Sequence, residues 1–319
     1  MIPAVCLMGP TASGKTELAL RIAAEFPCEI ISVDSVMVYR HMDIGSAKPG
    51  AAIRQAVPHH LIDILDPVEI YSVANFRADA LGALREIHGR GRIPLLVGGT
   101  MLYFRALLRG LSNLPRANSR IREEISRQAK KTGWKAVHAQ LAQVDPKAAL
   151  HIHPNDPQRI GRALEVYRAS GIPISVWHVR SGVPKPVLRA LKIALIPQDR
   201  SLLHQRISER FDEMLKGGFL GEVEALWRRE DLHDGLPSIR SVGYRQAWNY
   251  LGGVYSYETM REKVLAATRQ LAKRQLTWLR SETGLTRVST EPCDIDNIYH
   301  TIHSHMGTST CYTTGTRNQ

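Results

Sequence analysis

The sequence predicts an α/β fold, a parallel sheet flanked by helices with a mainly helical insertion. Three observations carry that prediction. The chain opens on a strand, a glycine loop and a helix. Short apolar runs of strand length then alternate with helical segments. After Leu111 the composition turns charge-rich and helical. The opening unit is the most informative. Residues 2–8 are an apolar run. Gly9, Pro10, Thr11, Ala12, Ser13, Gly14, Lys15 and Thr16 then spell Gly-x-x-x-x-Gly-Lys-Thr, and residues 17–26 are apolar at helical spacing. This is a phosphate loop in its proper context. Its glycines let successive N–H groups point inward, and the helix N-terminus adds partial positive charge. Lys15 supplies a cation for the outer phosphate, and the Thr16 hydroxyl suits Mg²⁺. The motif does not specify which phosphorylated molecule it holds.

Charge narrows the choice of partner. The net charge is +12 over 319 residues. Residues 1–110 are almost neutral at +1, whereas residues 111–319 carry +11. The asymmetry favours a polyanion bound by the later part of the chain over a merely solubilising surface. Four cysteines, Cys6, Cys28, Cys293 and Cys311, form no Cys-x-x-Cys pair and point to a reducing compartment. No basic region precedes the opening apolar run, and no stretch reaches the length of a membrane span. The expected location is the cytoplasm.

The other elements follow in order. Residues 29–33 are β-branched enough for a buried parallel strand, which ends at Asp34 and Ser35. A carboxylate there lies on the ligand edge of such a sheet. Asp34 is a candidate base, a candidate holder of Mg²⁺-bound water, or a cap for the next turn. Residues 58–64 read as a third strand with its lead-in. His59 and His60 lack further metal ligands at useful spacing and are assigned hydrogen-bonding roles. Ser72 starts a helix with Val73, Phe76, Ala80, Leu84 and Ile87 on one side, closed by Gly89 and Gly91. Residues 93–97 are a fourth strand ending at Gly98, Gly99 and Thr100. Thr100 is placed to meet a phosphate oxygen or a reacting amine.

The insertion is read as residues 113–190, between core segments 1–112 and 191–290. Its first part carries Arg116, Arg120, Arg122, Arg127, Lys130, Lys131 and Lys135. Asn155, Asp156 and Pro157 open another helix, with Arg159 and Arg162 on one face. Residues 181–186 read as a mobile loop and residues 191–196 as a strand returning to the sheet. Asp199 caps a helix that includes Arg206 and Arg210. Residues 236–245 run as a loop into a helix. Residues 258–280 form one long helix, whose Arg269, Lys273 and Arg280, with Trp278 nearby, suit a nucleic-acid backbone. Residues 291–319 are read as a flexible tail. Its His300, His303, His305 and Cys311 do not match zinc-finger spacing.

Together these residues resemble the tRNA dimethylallyltransferase family, also called isopentenyl-tRNA transferases, in its bacterial form. The resemblance is carried by the phosphate loop, Asp34-Ser35, Met42-Asp43-Ile44-Gly45, Ala47-Lys48-Pro49 and Gly98-Gly99-Thr100. It continues through Asn155-Asp156-Pro157-Gln158-Arg159, residues 206–211, Val242-Gly243-Tyr244-Arg245 and residues 268–280. It implies a P-loop NTPase-like core and transfer of a dimethylallyl group from dimethylallyl diphosphate. The acceptor would be the exocyclic N6 amine of the adenosine 3′-adjacent to the anticodon in tRNA, and diphosphate would be released. The loop would then hold a diphosphate and not ATP. By the same resemblance Asp34 accepts the amine proton, Thr100 positions the amine, and Arg210 and Lys15 neutralise the diphosphate. Mg²⁺ would be the cofactor, on Thr16 and, through water, Asp34. Contacts to the anticodon stem-loop would come from Ser35, Val36, Met37, Arg122, Gln158, Arg159, Ile160, Gly161, Arg162, Arg240, Ser241, Val242, Gly243, Tyr244, Arg245, Lys273, Arg274 and Arg280. The enzyme would act as a monomer. Met37, His41 and Ser46 depart from the family's pattern, which usually has Gly at the second position and Thr at the third.

The residues read by themselves agree with this chemistry. An aryl amine is a weak nucleophile, so its alkylation needs a diphosphate cradle, a base and a dry slot. A phosphate-loop kinase of a small metabolite would explain the loop and Asp34 but not the basic second part. A prenyltransferase of free adenine nucleotides would need no RNA-sized basic surface. A nucleotide-gated RNA-binding switch of the GTPase kind would carry an Asn-Lys-x-Asp signature, which the sequence lacks.

Overall fold

A computed structural model describes residues 1–112, 114–180 and 186–307. The chain forms two compact units, residues 109–185 and the remainder on either side of them. In the larger unit β1 (Ile2–Met8) is buried from its second residue to its last, because apolar side chains point to both faces. The phosphate loop follows and leads into α1 (Lys15–Glu25), entered through Gly14 at φ +81°, a left-handed conformation that favours glycine. Next come β2 (Cys28–Val33), α2 (Ala51–Ala56) and β3 (His59–His60). Then come α3 (Val73–Gly89), capped when Ser72 accepts from the Asn75 N–H, β4 (Ile93–Gly98) and α4 (Met101–Arg109).

The smaller unit holds α5 (Ser119–Thr132), α6 (Trp134–Val144), α7 (Pro146–His151), α8 (Pro157–Ser170) and α9 (Ile174–Arg180). Its core is Ile125, Val137, Leu141, Ile160 and Leu164 with their neighbours. Asp156 caps α8 and Pro157 starts it. Residues 181–185, read as most of a mobile loop, lie outside the described residues. The chain then returns as β5 (Leu188–Ile196), three residues earlier than the sequence predicts. It continues through α10 (Arg200–Lys216), α11 (Phe219–Trp227), α12 (Tyr244–Leu251), α13 (Tyr257–Ser281), β6 (Leu285–Ser289) and α14 (Ile295–Gly307).

All six strands pair in parallel in the order β3-β2-β4-β1-β5-β6. Helices α3 and α4 cover one face through Phe76, Leu84, Phe104 and Leu107. Helices α1 and α14 cover the other through Leu18, Ile22, Ile298 and Ile302. The register sets Met8 opposite Gly98 and Ala194, and Val33 opposite Gly98. The chain therefore leaves β1, β2, β4 and β5 along one edge.

Three expectations are corrected. The third strand covers only His59–His60, because Leu61 and Asp63 take φ +63° and +57°, which ends extended pairing. Strand β6 was not anticipated; it is a short edge strand of mixed polarity. The flexible tail is instead ordered through residue 307. Ile298, Ile302 and Met306 recur at helical spacing and bury against the sheet, with the Phe26 ring beside Tyr299 and His303. The polar residues between them masked that period. Residues 308–319, with Cys311, lie outside the description.

Candidate active site

The phosphate loop is folded on itself and tied to α10 and α13. The Lys15 ammonium donates to the Pro10 carbonyl at 2.5 Å and to Ser13 Oγ at 3.4 Å. Arg210, from α10, donates to Thr11 Oγ1 at 3.4 Å. A cavity of about 690 Å³ opens beside the loop, lined among others by Ser13, Lys15, Thr16, Arg206 and Arg210. Arg206 also pairs with Glu291. Burial above all, then the charge of Arg210, lowers the pKa of Lys15 from 10.5 to about 7, against the opposing pull of Asp34. Arg210 is lowered by burial and held up chiefly by Asp34. Two cations and one carboxylate thus sense one another at the sheet edge.

Asp34 follows β2 directly. Its Oδ1 accepts from the N–H groups of Val36 at 2.8 Å and Met37 at 3.2 Å, so it caps the turn that holds Ser35, Val36 and Met37. No bond to Oδ2 occurs among the described residues, so this oxygen is available to an incoming group. Thr100 lies one strand over, and its N–H donates to the Val33 carbonyl at 3.2 Å, while its own carbonyl starts α4. Of the two glycines before it, Gly98 is sterically required, and Gly99 faces the end of the Gln275 side chain. A Cβ on Gly98 would sit 2.1 Å from the Val33 carbonyl oxygen, and one on Gly99 2.4 Å from Gln275 Nε2.

The loop after Met37 is clamped by a residue the sequence reading missed. Glu222 on α11 accepts from the N–H groups of Asp43, Ile44 and Gly45 and from the Tyr244 hydroxyl. Gly45 has no room for a side chain, since a Cβ would lie 2.4 Å from the Phe219 ring. Lys48, only 1% exposed in its side chain, bridges Asp43 and Asp63. His41 takes φ +65°, the left-handed region that favours glycine. Ser46 donates its hydroxyl to the carbonyls of Met42 and Asp43, as Thr can. His60 bonds Glu29 and His59 bonds the Val57 carbonyl, the roles assigned to them.

The candidate RNA residues divide by environment. Gln158 and Arg159 are exposed on α8, Arg240 and Arg245 on the loop and helix start around Ser241 and Val242, and Lys273, Arg274 and Arg280 on one exposed side of α13. Ile160 and Tyr244 are wholly buried, and Gly243 is buried at φ +91°. The expectation that Ile160 and Tyr244 contact RNA is therefore corrected for their side chains: they pack the core beneath the exposed residues. Gly161 is half-buried in α8. Arg122 and Arg162 both bind the fully buried Glu165, at 2.9 Å each, and Arg162 also donates to the Pro115 carbonyl. Against the penalty of burial, the Asn118 N–H and then these two arginines hold the Glu165 carboxyl below its usual pKa range.

A phosphate loop with two cations, with Asp34 and Thr100 on neighbouring strand ends, defines the chain as a phosphate-loop protein. Comparison with known proteins narrows the class. The family model described as IPP transferase matches residues 37–282, and that described as isopentenyl transferase matches residues 3–59. A tRNA dimethylallyltransferase of Thioalkalivibrio sulfidiphilus is 57% identical over 304 residues, covering 95% of each chain. One of Methylococcus capsulatus is 56% identical over 288 residues, covering 90% of this chain and 92% of the other. The crystal structure of a tRNA isopentenylpyrophosphate transferase of Bacillus halodurans superposes with a TM-score of 0.72 at 35% identity, over 97% of this chain and 98% of that one. A eukaryotic dimethylallyltransferase acting on tRNA shares the fold, with a TM-score of 0.82 at 24% identity, over 98% of this chain and 81% of that one. The chain belongs to the tRNA dimethylallyltransferase family.

Proposed function

We propose that the chain transfers the dimethylallyl group of dimethylallyl diphosphate to N6 of the adenosine 3′-adjacent to the anticodon in tRNA. The observation that carries this reading is the shared sheet edge: the phosphate loop after β1, Asp34 after β2 and Thr100 after β4. The loop N–H groups, Lys15 and Arg210 hold the diphosphate. The target base leaves its stack to reach the slot. Its N6 lone pair forms the new bond to C1 of the dimethylallyl group as the C1–O bond breaks and its electrons leave with diphosphate. Asp34 takes the N6 proton, and Thr100 orients the amine. Thr16 and Asp34 offer hard oxygen donors that fit Mg²⁺, an ion that keeps several waters and binds chiefly to phosphate oxygens. When bound, Mg²⁺ would offset charge on the leaving diphosphate. Incubation with unmodified tRNA and dimethylallyl diphosphate, followed by nucleoside mass analysis, tests the reading. It predicts N6-dimethylallyladenosine; transfer of phosphate from ATP to a small metabolite would overturn it. No described helix is long and apolar enough to cross a membrane, and we propose a cytoplasmic monomer.

Lys15 gives this reading a pH signature. In the free protein its pKa is about 7. A bound diphosphate stabilises the charged form, so the pKa rises on binding. Above about pH 7, binding therefore takes up a proton, and donor affinity falls as pH increases. Calorimetry at about pH 8 in buffers of different ionisation enthalpy will show that uptake, and Lys15→Ala will remove it.

The exposed basic residues give a salt signature. Arg159→Ala, Arg245→Ala and Lys273→Ala will each weaken tRNA binding and lower the slope of log K against log salt by about 0.7–0.9, as one phosphate contact is lost. Binding titrations between roughly 50 and 200 mM salt measure it. An unchanged slope in all three variants would remove these surfaces from RNA binding.

A further inference from the structure

Gln275 lies on the buried side of α13, among Ala272, Leu276 and Leu279, and is 8% exposed. Its Oε1 accepts from the Thr11 N–H at 2.9 Å, and its Nε2 donates to the Gly99 carbonyl at 2.9 Å. One amide thus joins the phosphate loop after β1 to the Gly99-Thr100 end of β4. The partners fix its orientation, since an N–H can only face the oxygen and a carbonyl only the NH₂ group. The contact is close on both sides. A Cβ at Gly99 would collide with Nε2 at 2.4 Å and stand 3.2 Å from the Gly9 carbonyl oxygen. Thr11 is doubly anchored, its N–H by Gln275 and its hydroxyl by Arg210. The Thr11 N–H is therefore committed to Gln275, and the loop's grip on phosphate falls to the N–H groups after it. On the opposite side of α13, Lys273, Arg274 and Arg280 are exposed.

We infer that Gln275 is a positioning residue for the transfer step: it sets the spacing between the donor loop and the acceptor-side Thr100, and fastens both to the helix that carries candidate RNA contacts. The inference rests on the proposed roles of the loop and Thr100. The chemistry requires the donor carbon and the N6 amine to meet at near-contact distance, and displacements of an ångström cost about 10²-fold in rate. Neither Glu nor Met can replace the amide. Glu keeps the acceptor for Thr11 but loses the donor to Gly99 and adds negative charge near the diphosphate. Met keeps length and loses both bonds.

Single-turnover rates with tRNA and donor saturating, measured well below the melting temperature, test the inference on Gln275→Met and Gln275→Glu. Val264→Ala, a buried truncation about three turns earlier on α13 that packs in the same cluster as Ala272 and Leu276 but bonds neither the loop nor Gly99, is the control for general destabilisation. The expected result is a rate lower by about 10–100-fold in both Gln275 variants, with tRNA affinity within about twofold of wild type, and a wild-type rate in Val264→Ala. A merely structural amide would lower the melting temperature and spare the saturating rate per folded molecule. A wild-type rate in Gln275→Met, or an equal loss in Val264→Ala, overturns the inference. Absence of transfer by the unaltered protein would instead overturn the proposed function on which it depends.

Discussion

Asp34→Asn is expected to lower turnover by about 10²–10⁴-fold, the usual contribution of a positioned base, while tRNA binding changes little. The structure explains why Asn is the informative replacement. Asp34 Oδ1 caps the turn through Val36 and Met37, and an asparagine carbonyl oxygen can keep both bonds. What Asn loses is the basic second oxygen. Ser35, Val36 and Met37 therefore stay in place, and the defect is confined to chemistry. The amine is far too weak an acid to ionise first, so proton transfer accompanies or follows attack. Steady-state rates combined with separate donor and tRNA titrations distinguish this role from Mg²⁺ support. In the latter case donor affinity and its Mg²⁺ dependence fall together with the rate. Near-normal turnover would remove Asp34 from the mechanism.

Lys15→Ala is expected to have the second large effect. Removing one partner of a buried charge pair costs about 2–5 kcal/mol, or roughly 30-fold to several thousand-fold in donor affinity. Arg210 remains, anchored on Thr11, so the loss is severe but not complete. The loop loses the Lys15 bonds to Pro10 and Ser13 but keeps the left-handed turn at Gly14 and the Gln275 hold on Thr11. Donor titration by calorimetry is the measurement. Unchanged affinity for dimethylallyl diphosphate would show that the loop is not the donor site. The tRNA affinity of the same variant serves as its internal control, since the exposed basic residues of α8 and α13 are untouched.

Much of the catalytic edge was legible because it is written in local sequence. The phosphate loop, Asp34 and Gly98-Gly99-Thr100 each follow a short apolar strand, and a parallel sheet brings successive strand ends to one edge whatever the loops between them do. Caps were legible for the same reason: Ser72, Asp156 and Asp199 act on N–H groups two or three residues away. The tail was misread because its apolar residues, Ile298, Ile302 and Met306, are spaced one turn apart among histidines and threonine, and only the sheet face they cover reveals their use.

The sequence by itself determined the strand–loop–helix unit, the alternation that makes the sheet parallel, the basic later part, and the order of motifs that marks the family. Tertiary structure alone decided which residues connect these parts. Gln275 lies 264 positions from Thr11 and 176 from Gly99, and Glu222 lies about as far from the loop it clamps. In sequence, Gln275 is a polar residue on an apolar stripe and Glu222 an ordinary helix carboxylate. Ile160 and Tyr244 sit within basic motifs and yet belong to the core. The physical reason is common to all four. A hydrogen bond or a buried contact depends on distance in space, and chain topology sets that distance only once the sheet and its helices have packed.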